Sequence, residues 1–346
     1  MGTNMTIEND RAEQVSGKSR LRATSRIALA IFVVGPILGE AFLQLLGFGH
    51  PALVTSDSPA GYELLPRQSI RRLWPLSDSW ISHVRTNRLG MRSDPLAETK
   101  PSGTLRIYFL GDSITYGTTQ VDQSQLFSEL VHRELPSLTH QSVEVMNGAI
   151  SGWAIANEPA FVKEHGTLGA DRLILVINDG DPTQPMASLP PNDGIPSLEH
   201  NPRWGFQELW DRGLRAKING LLGRGADNFR DPGTTIAADA LILQQNLGYL
   251  AELRSFVEAS GGKLSILYIP FREAYDSAKL SAAAGPGRDA VETWAQQHSV
   301  PFFNIGADLA RYPATSILLR DHTHFNVAGN RAIATAIEQH WTTLVN

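Results

Sequence analysis

The chain of 346 residues contains no cysteine. That excludes disulfides, thiolate zinc sites and a cysteine nucleophile, but leaves the compartment open, because exported proteins can do without disulfides. Positive charge is in slight deficit, 30 Lys and Arg against 35 Asp and Glu, for a net charge of -5. With no basic cluster outside the N-terminus, nothing in the charge pattern calls for a nucleic-acid partner. No internal repeat is visible, and the serine elbow G-x-S-x-G occurs nowhere, so a nucleophilic serine of that type is absent.

Only one apolar run is long. Residues 27–48, "IALAIFVVGPILGEAFLQLLGF", follow a polar start with Lys18, Arg20, Arg22 and Arg26 just before them. The run is long enough to cross a hydrocarbon core of roughly 30 Å as a helix. The positive-inside rule then puts the N-terminus in the cytoplasm and the remainder outside the cytoplasmic membrane. Pro36 would kink such a helix and Glu40 is its single charge. Two other readings stand beside the anchor. One is a cleaved signal peptide with "GEA" at residues 39–41 as its cleavage site. The other is a buried helix of a soluble protein, since the Glu40 carboxylate is costly in lipid.

The rest divides into four stretches. Residues 1–26 form a polar tail and 27–48 the anchor; 49–104 read as an extended arm, partly strand, or a linker. Residues 105–346 read as one domain interrupted at about 180–235. In that domain, apolar strands ("LRIYFLG", "VEVMNGAI", "DRLILVIND", "KLSILYIP", "VPFFNI") alternate with helical stretches near 125–135, 236–259, 288–297 and 327–344. Strands that are apolar throughout call for a mostly parallel sheet covered on both faces, an α/β fold in three α/β/α layers. Within the interruption, Phe206, Leu209, Trp210, Leu214 and Ile218 share one helical face; either that face packs on the domain, or the segment is a lid over a site.

In open sheets of this kind ligands bind beyond the carboxyl ends of the strands. Ser113, in "RIYFLGDSITYG", follows the first strand, and "NGAISG" and "IND" follow the second and third. Near the C-terminus "RDHTHFNVAG" places Asp321 three residues before His324, ahead of a helix. On a turn, that spacing lets the carboxylate orient its own histidine, which can then take a serine proton. The backbone N–H groups of Ser113 and Gly152 and the side-chain amide of Asn178 are candidate oxyanion donors. Asp112 reads as a turn-holding residue. His322 is the alternative base, and Asp179 and Asp181 with His322 form only a dispersed set of metal ligands.

The four blocks "GDSITYG", "NGAISG", "IND" and "DHTHF", in that order, resemble the SGNH hydrolases, also called GDSL esterases and lipases. The resemblance implies a flavodoxin-like fold, with Ser113 as nucleophile, Gly152 and Asn178 as oxyanion donors, Asp321 and His324 as the D-x-x-H pair, and no metal or organic cofactor. "TNRLGMRS", residues 86–93, resembles membrane-tethered exported members, several of which are associated with polysaccharide modification. The expected activity is hydrolysis of an acyl ester, an acetyl group on a carbohydrate foremost. An O-acyltransferase using the same triad, and a non-catalytic glycan-binding or scaffold protein, are the alternatives. One position departs from the family's G-x-N-D block: Val176 stands where the glycine would be. A valine sits easily on a buried strand, or else crowds the base of the pocket.

Overall fold

The computed structural model describes residues 29, 31–74, 79–188, 199–215, 218, 236–271, 286–321 and 323–345. Five strands form one parallel sheet: β5 (Thr104–Gly111), β6 (Ser142–Asn147), β7 (Arg172–Ile177), β8 (Lys263–Tyr268) and β9 (Phe302–Asn304), in the spatial order β6-β5-β7-β8-β9. Each falls on one of the apolar runs, because a strand buried on both faces must be apolar at successive positions. On one face of the sheet Ile107, Phe109, Val176 and Leu267 pack under the helices Phe127–Thr139 and Val327–Gln339. On the other, Tyr108, Leu110, Leu175 and Ile266 pack under Asn157–His165, Ile236–Ala259 and Pro286–Gln297. These are the three expected layers.

By order of appearance the sheet runs 2-1-3-4-5, so the chain changes direction between β5 and β7. Such a switch point opens a crevice at the carboxyl ends of those two strands. Ser113 follows β5 and Asn178 follows β7.

Two antiparallel pairs precede the sheet, β1 (Val54–Thr55) with β2 (Glu63–Leu64), and β3 (Ser69–Leu73) with β4 (Ile81–Arg85). Their apolar residues Val54, Tyr62, Leu64, Ile70 and Val84 join the same core as Tyr108 and Leu110. The described part of the stretch read as an arm or linker therefore contributes to the core beside the sheet.

A helix, α1, covers residues 31–45. Among the described residues no helix is long and apolar enough to cross a membrane; residues 27, 28 and 30 of the apolar run, the basic residues before it and His322 lie outside the described residues. In the interruption, the helix Gly205–Leu209 continues as a wider π turn over Trp210–Leu214. The face expected to pack on the domain is turned outward instead: Phe206, Trp210, Leu214 and Ile218 are exposed. The helix is held by its polar side. Glu208 is fully buried, bonds Arg72 at 2.6 Å and accepts the Gly49 N–H at 2.6 Å. A buried ion pair needs such added hydrogen bonds to offset its desolvation, and the apolar periodicity gave no sign of it.

Candidate active site

Gly111 ends β5 at φ +150°, where a Cβ would lie 2.6 Å from both the Val176 carbonyl oxygen and Thr115 Oγ1. Only glycine makes this bend without strain. The next residue, Asp112, caps a short helix over Ser113–Tyr116 by accepting the Ile114 N–H at 2.8 Å. Ser113 is thus the first residue of that helix, half-buried, with its amide directed out of the intrahelical ladder.

Asp112 does more than cap the turn. Its second carboxylate oxygen accepts a hydrogen bond from Asn178 Nδ2 at 2.9 Å. Asn178 in turn accepts the Gly180 N–H through Oδ1 at 2.7 Å and donates its own N–H to Asp181 at 2.8 Å. The side-chain amide is therefore fixed in the plane beside Ser113, with one of its two N–H groups given to Asp112. Burial raises the Asp112 carboxyl, against the Ile114 N–H and the charge of His324, which lower it. His324 accordingly lies within electrostatic reach of the residue next to Ser113.

The expected histidine–aspartate pair forms. His324 Nδ1 meets Asp321 Oδ2 at 2.8 Å, and the other carboxylate oxygen accepts the N–H groups of Thr323 and His324 at 3.0 Å each. Partial burial would raise the Asp321 carboxyl, but those bonds and the histidine ring bring it below its ordinary value. Holding Nδ1 against a carboxylate leaves Nε2 as the imidazole's working nitrogen. Among the described residues no hydrogen bond joins Ser113 Oγ to His324.

Gly152 has φ +89°, and a Cβ there would lie 2.7 Å from the Tyr62 hydroxyl. That hydroxyl donates to the Ser151 carbonyl at 2.6 Å, while Trp153 Nε1 donates to the Tyr62 carbonyl at 2.9 Å. Burial, then the Asp112 charge, pushes the Tyr62 phenol well up. No periodicity in "GYELLP" marks this tyrosine.

Val176 pairs with Gly111 across the sheet, is 1% exposed, and packs in the apolar layer with Phe109 and Ile114. It offers no surface to a crevice in front of Ser113. Two further residues brace the serine turn. Asn147 Nδ2 bonds the Thr115 carbonyl at 2.7 Å. Arg92, fully buried, donates to the carbonyls of Tyr116, Thr118 and Val121 at 2.7, 2.5 and 2.8 Å. Arg92 stands in the "TNRLGMRS" stretch, whose composition gives no hint of a clamp.

Of the dispersed carboxylates, Asp179 accepts from the Tyr268 hydroxyl and the Phe271 N–H, and one oxygen of Asp181 accepts from the Asn178 N–H. Histidine–carboxylate groups with ligand-like spacing occur elsewhere, as Glu63–Glu164–His165 and Asp94–Glu129–His132; neither includes a residue of this site. The arrangement of Ser113, fixed amides and an oriented imidazole suits acyl transfer.

The sequence profile of the GDSL-like Lipase/Acylhydrolase family matches residues 109–332. Among solved structures, the chain is similar to LAE5, an alpha/beta hydrolase enzyme from the metagenome of Lake Arreo, Spain, at 16% identity and TM-score 0.42, covering 70% of this chain and 97% of that one. It is also similar to a two-domain esterase active on acetylated mannans (14%, TM-score 0.42, covering 70% and 50%). A third is Axe2, an acetylxylan esterase from Geobacillus stearothermophilus (14%, TM-score 0.39, covering 68% and 93%). No curated protein sequence matches. The profile spans the serine turn, the Asn178 strand end and the Asp321–His324 pair, and the chain belongs to the GDSL-like lipase/acylhydrolase family, the serine esterases of SGNH type.

Proposed function

We infer that Ser113 is the nucleophile of an exported, membrane-mounted esterase that removes acyl groups, acetyl foremost, from carbohydrate. The observation that carries this reading is the lock of Asp112 onto Asn178 at the serine turn, together with the His324 imidazole oriented by Asp321. Ser113 Oγ attacks the ester carbonyl as His324 takes its proton. The tetrahedral oxyanion is held by the N–H groups of Ser113 and Gly152 and by the second amide N–H of Asn178, each contributing on the order of 3 kcal/mol. Collapse breaks the carbon–oxygen bond to the alcohol, which leaves with the proton from His324. Water, deprotonated by His324, then releases the acid and restores Ser113.

A bulky polar alcohol is favoured because the His324 and Asp321 side chains are 26% and 43% exposed, leaving the histidine open to a large leaving group. The apolar run at 27–48 is read as the anchor, with the N-terminus in the cytoplasm and the domain outside. The substrate partner is therefore an acyl ester at or near the cell surface.

The test is fluorophosphonate labelling of wild type against Ser113→Ala, alongside release of acid from p-nitrophenyl esters and acetylated sugars. Labelling is expected to vanish in the variant and turnover to fall by about a thousandfold or more. Equal labelling of the folded variant would remove Ser113 from the mechanism. A preference for long acyl chains would point to lipid instead of carbohydrate.

A further inference from the structure

Away from the site, the described surface carries one broad apolar region, built from two elements. In the first, Ile31, Phe32, Val33 and Val34 are all exposed although they are consecutive. Four consecutive residues go right round a helix, so the first turn of α1 is bare on every side, a state that one protein neighbour on one face would not relieve and surrounding lipid would. The second element is the helix begun at Gly205. Its exposed residues Phe206, Trp210, Leu214 and Ile218 recur at every fourth position. In turns of 3.6 residues such a repeat drifts around the axis; the wider π turn over Trp210–Leu214 takes up the drift and aligns the four in one stripe.

The two elements are joined at a carboxylate. Glu40 accepts the Gly205 N–H at 2.7 Å and the Phe206 N–H at 3.1 Å, and Gly39 lies against the Phe206 ring. The one charge in the apolar run is thereby satisfied by two amides, which lowers the cost of placing it near lipid. At the end of α1, Leu46 accepts the Leu73 N–H at 2.9 Å, and Trp74 donates its N–H to the Trp80 carbonyl at 2.9 Å. Of the seven tryptophans, the exposed ones are Trp80, Trp204 and Trp210. Trp204 and Trp210 flank or belong to the helix bonded to Glu40, and Trp80 is bonded to Trp74, the residue after the Leu73 that bonds Leu46.

Tryptophan concentrates at the membrane–water boundary, and amphipathic stripes of this kind lie in it. We propose that Trp80, Trp204 and the stripe Phe206–Trp210–Leu214–Ile218 form a collar embedded in the bilayer interface around the exit of α1. The collar rests on the anchor reading and adds a second, peripheral contact that fixes the domain against the membrane.

The test uses the full chain in vesicles of phosphatidylcholine and phosphatidylglycerol carrying acyl chains brominated near the headgroup or near the chain end. Flotation reports the anchor, and tryptophan quenching reports the collar. Headgroup-proximal bromines are expected to quench more strongly. In the double variant Trp204→Phe, Trp210→Phe about half or more of that quenching should disappear, with flotation and p-nitrophenyl ester turnover unchanged. Flotation with quenching equal in wild type and variant would overturn the collar and leave the anchor standing. Failure to float would overturn both. Weak quenching, with an oligomer in detergent that the double variant dissociates, would give the face to a second copy of the chain.

Discussion

Ser113 is presented by a glycine bend, a capping aspartate and a cross-strand amide, and each can be removed singly. The Asp112–Asn178 bond gives the most discriminating substitution. Asn178→Ala removes the proposed oxyanion donor and is expected to lower kcat by about a hundredfold with little change in KM. Asn178→Asp sets a second carboxylate against Asp112, now 2.9 Å away, and like charges that close repel. Its kcat should fall below that of the alanine variant, as steady-state kinetics on a p-nitrophenyl ester would read. Equal kcat values for the two would mean that Asp112 is not ionised in the working enzyme. The strand-end positions of Ser113 and Asn178 and the Asp321–His324 pairing were legible in the sequence, because each stands in a short polar block after an apolar run. The Asp112–Asn178 bond was not, since it joins two strands that only the sheet order makes neighbours. Tyr62 was hidden for the same reason, lying on a segment without periodicity whose contact with Gly152 is purely tertiary.

Among the elements, the loop that follows the serine helix depends on a residue far upstream. Arg92 spends its donors on three carbonyls of that loop and stacks over Tyr116 at 4.9 Å. Lysine carries the same charge but lacks the planar fork. Arg92→Lys should therefore cost about 2–4 kcal/mol in urea unfolding and reduce kcat through misplacement of Ser113, whereas a change below about 0.5 kcal/mol would show that the loop holds itself. The strands and four of the five covering helices were readable from apolar period and punctuation, down to the helix Ile236–Ala259, whereas Asn157–His165 was not. For the insertion helix two readings stood side by side, an apolar face packed on the domain or a lid, and the first does not hold. Its apolar stripe pointed inward by the ordinary rule for globular helices, but Glu208, bonded to Arg72, is the side the domain holds.

For the whole molecule, stability should carry an unusual pH signature from Glu129. Burial, then the Asp94 charge, raises its carboxyl to about 7. A carboxyl raised in the folded state binds its proton more tightly there than when unfolded, so stability falls as pH rises from the unfolded value of 4.5 towards 7, and the penalty is complete above it. Glu129→Gln removes that penalty. It is expected to stabilise by about 1–3 kcal/mol at pH 8 and by much less at pH 5, read from urea unfolding at the two values; an equal effect at both would place the charge in water. The bonds of Leu46 to Leu73, Glu40 to Gly205 and Gly49 to Glu208 also bear on how the enzyme meets its substrate. They tie α1 and the residues just after it to β3 and to the insertion helix at three points. An enzyme on a loose tether sweeps a volume, but one fixed in this way works at a single height, so on the proposed mount it would serve only those esters that the surface itself carries to that level.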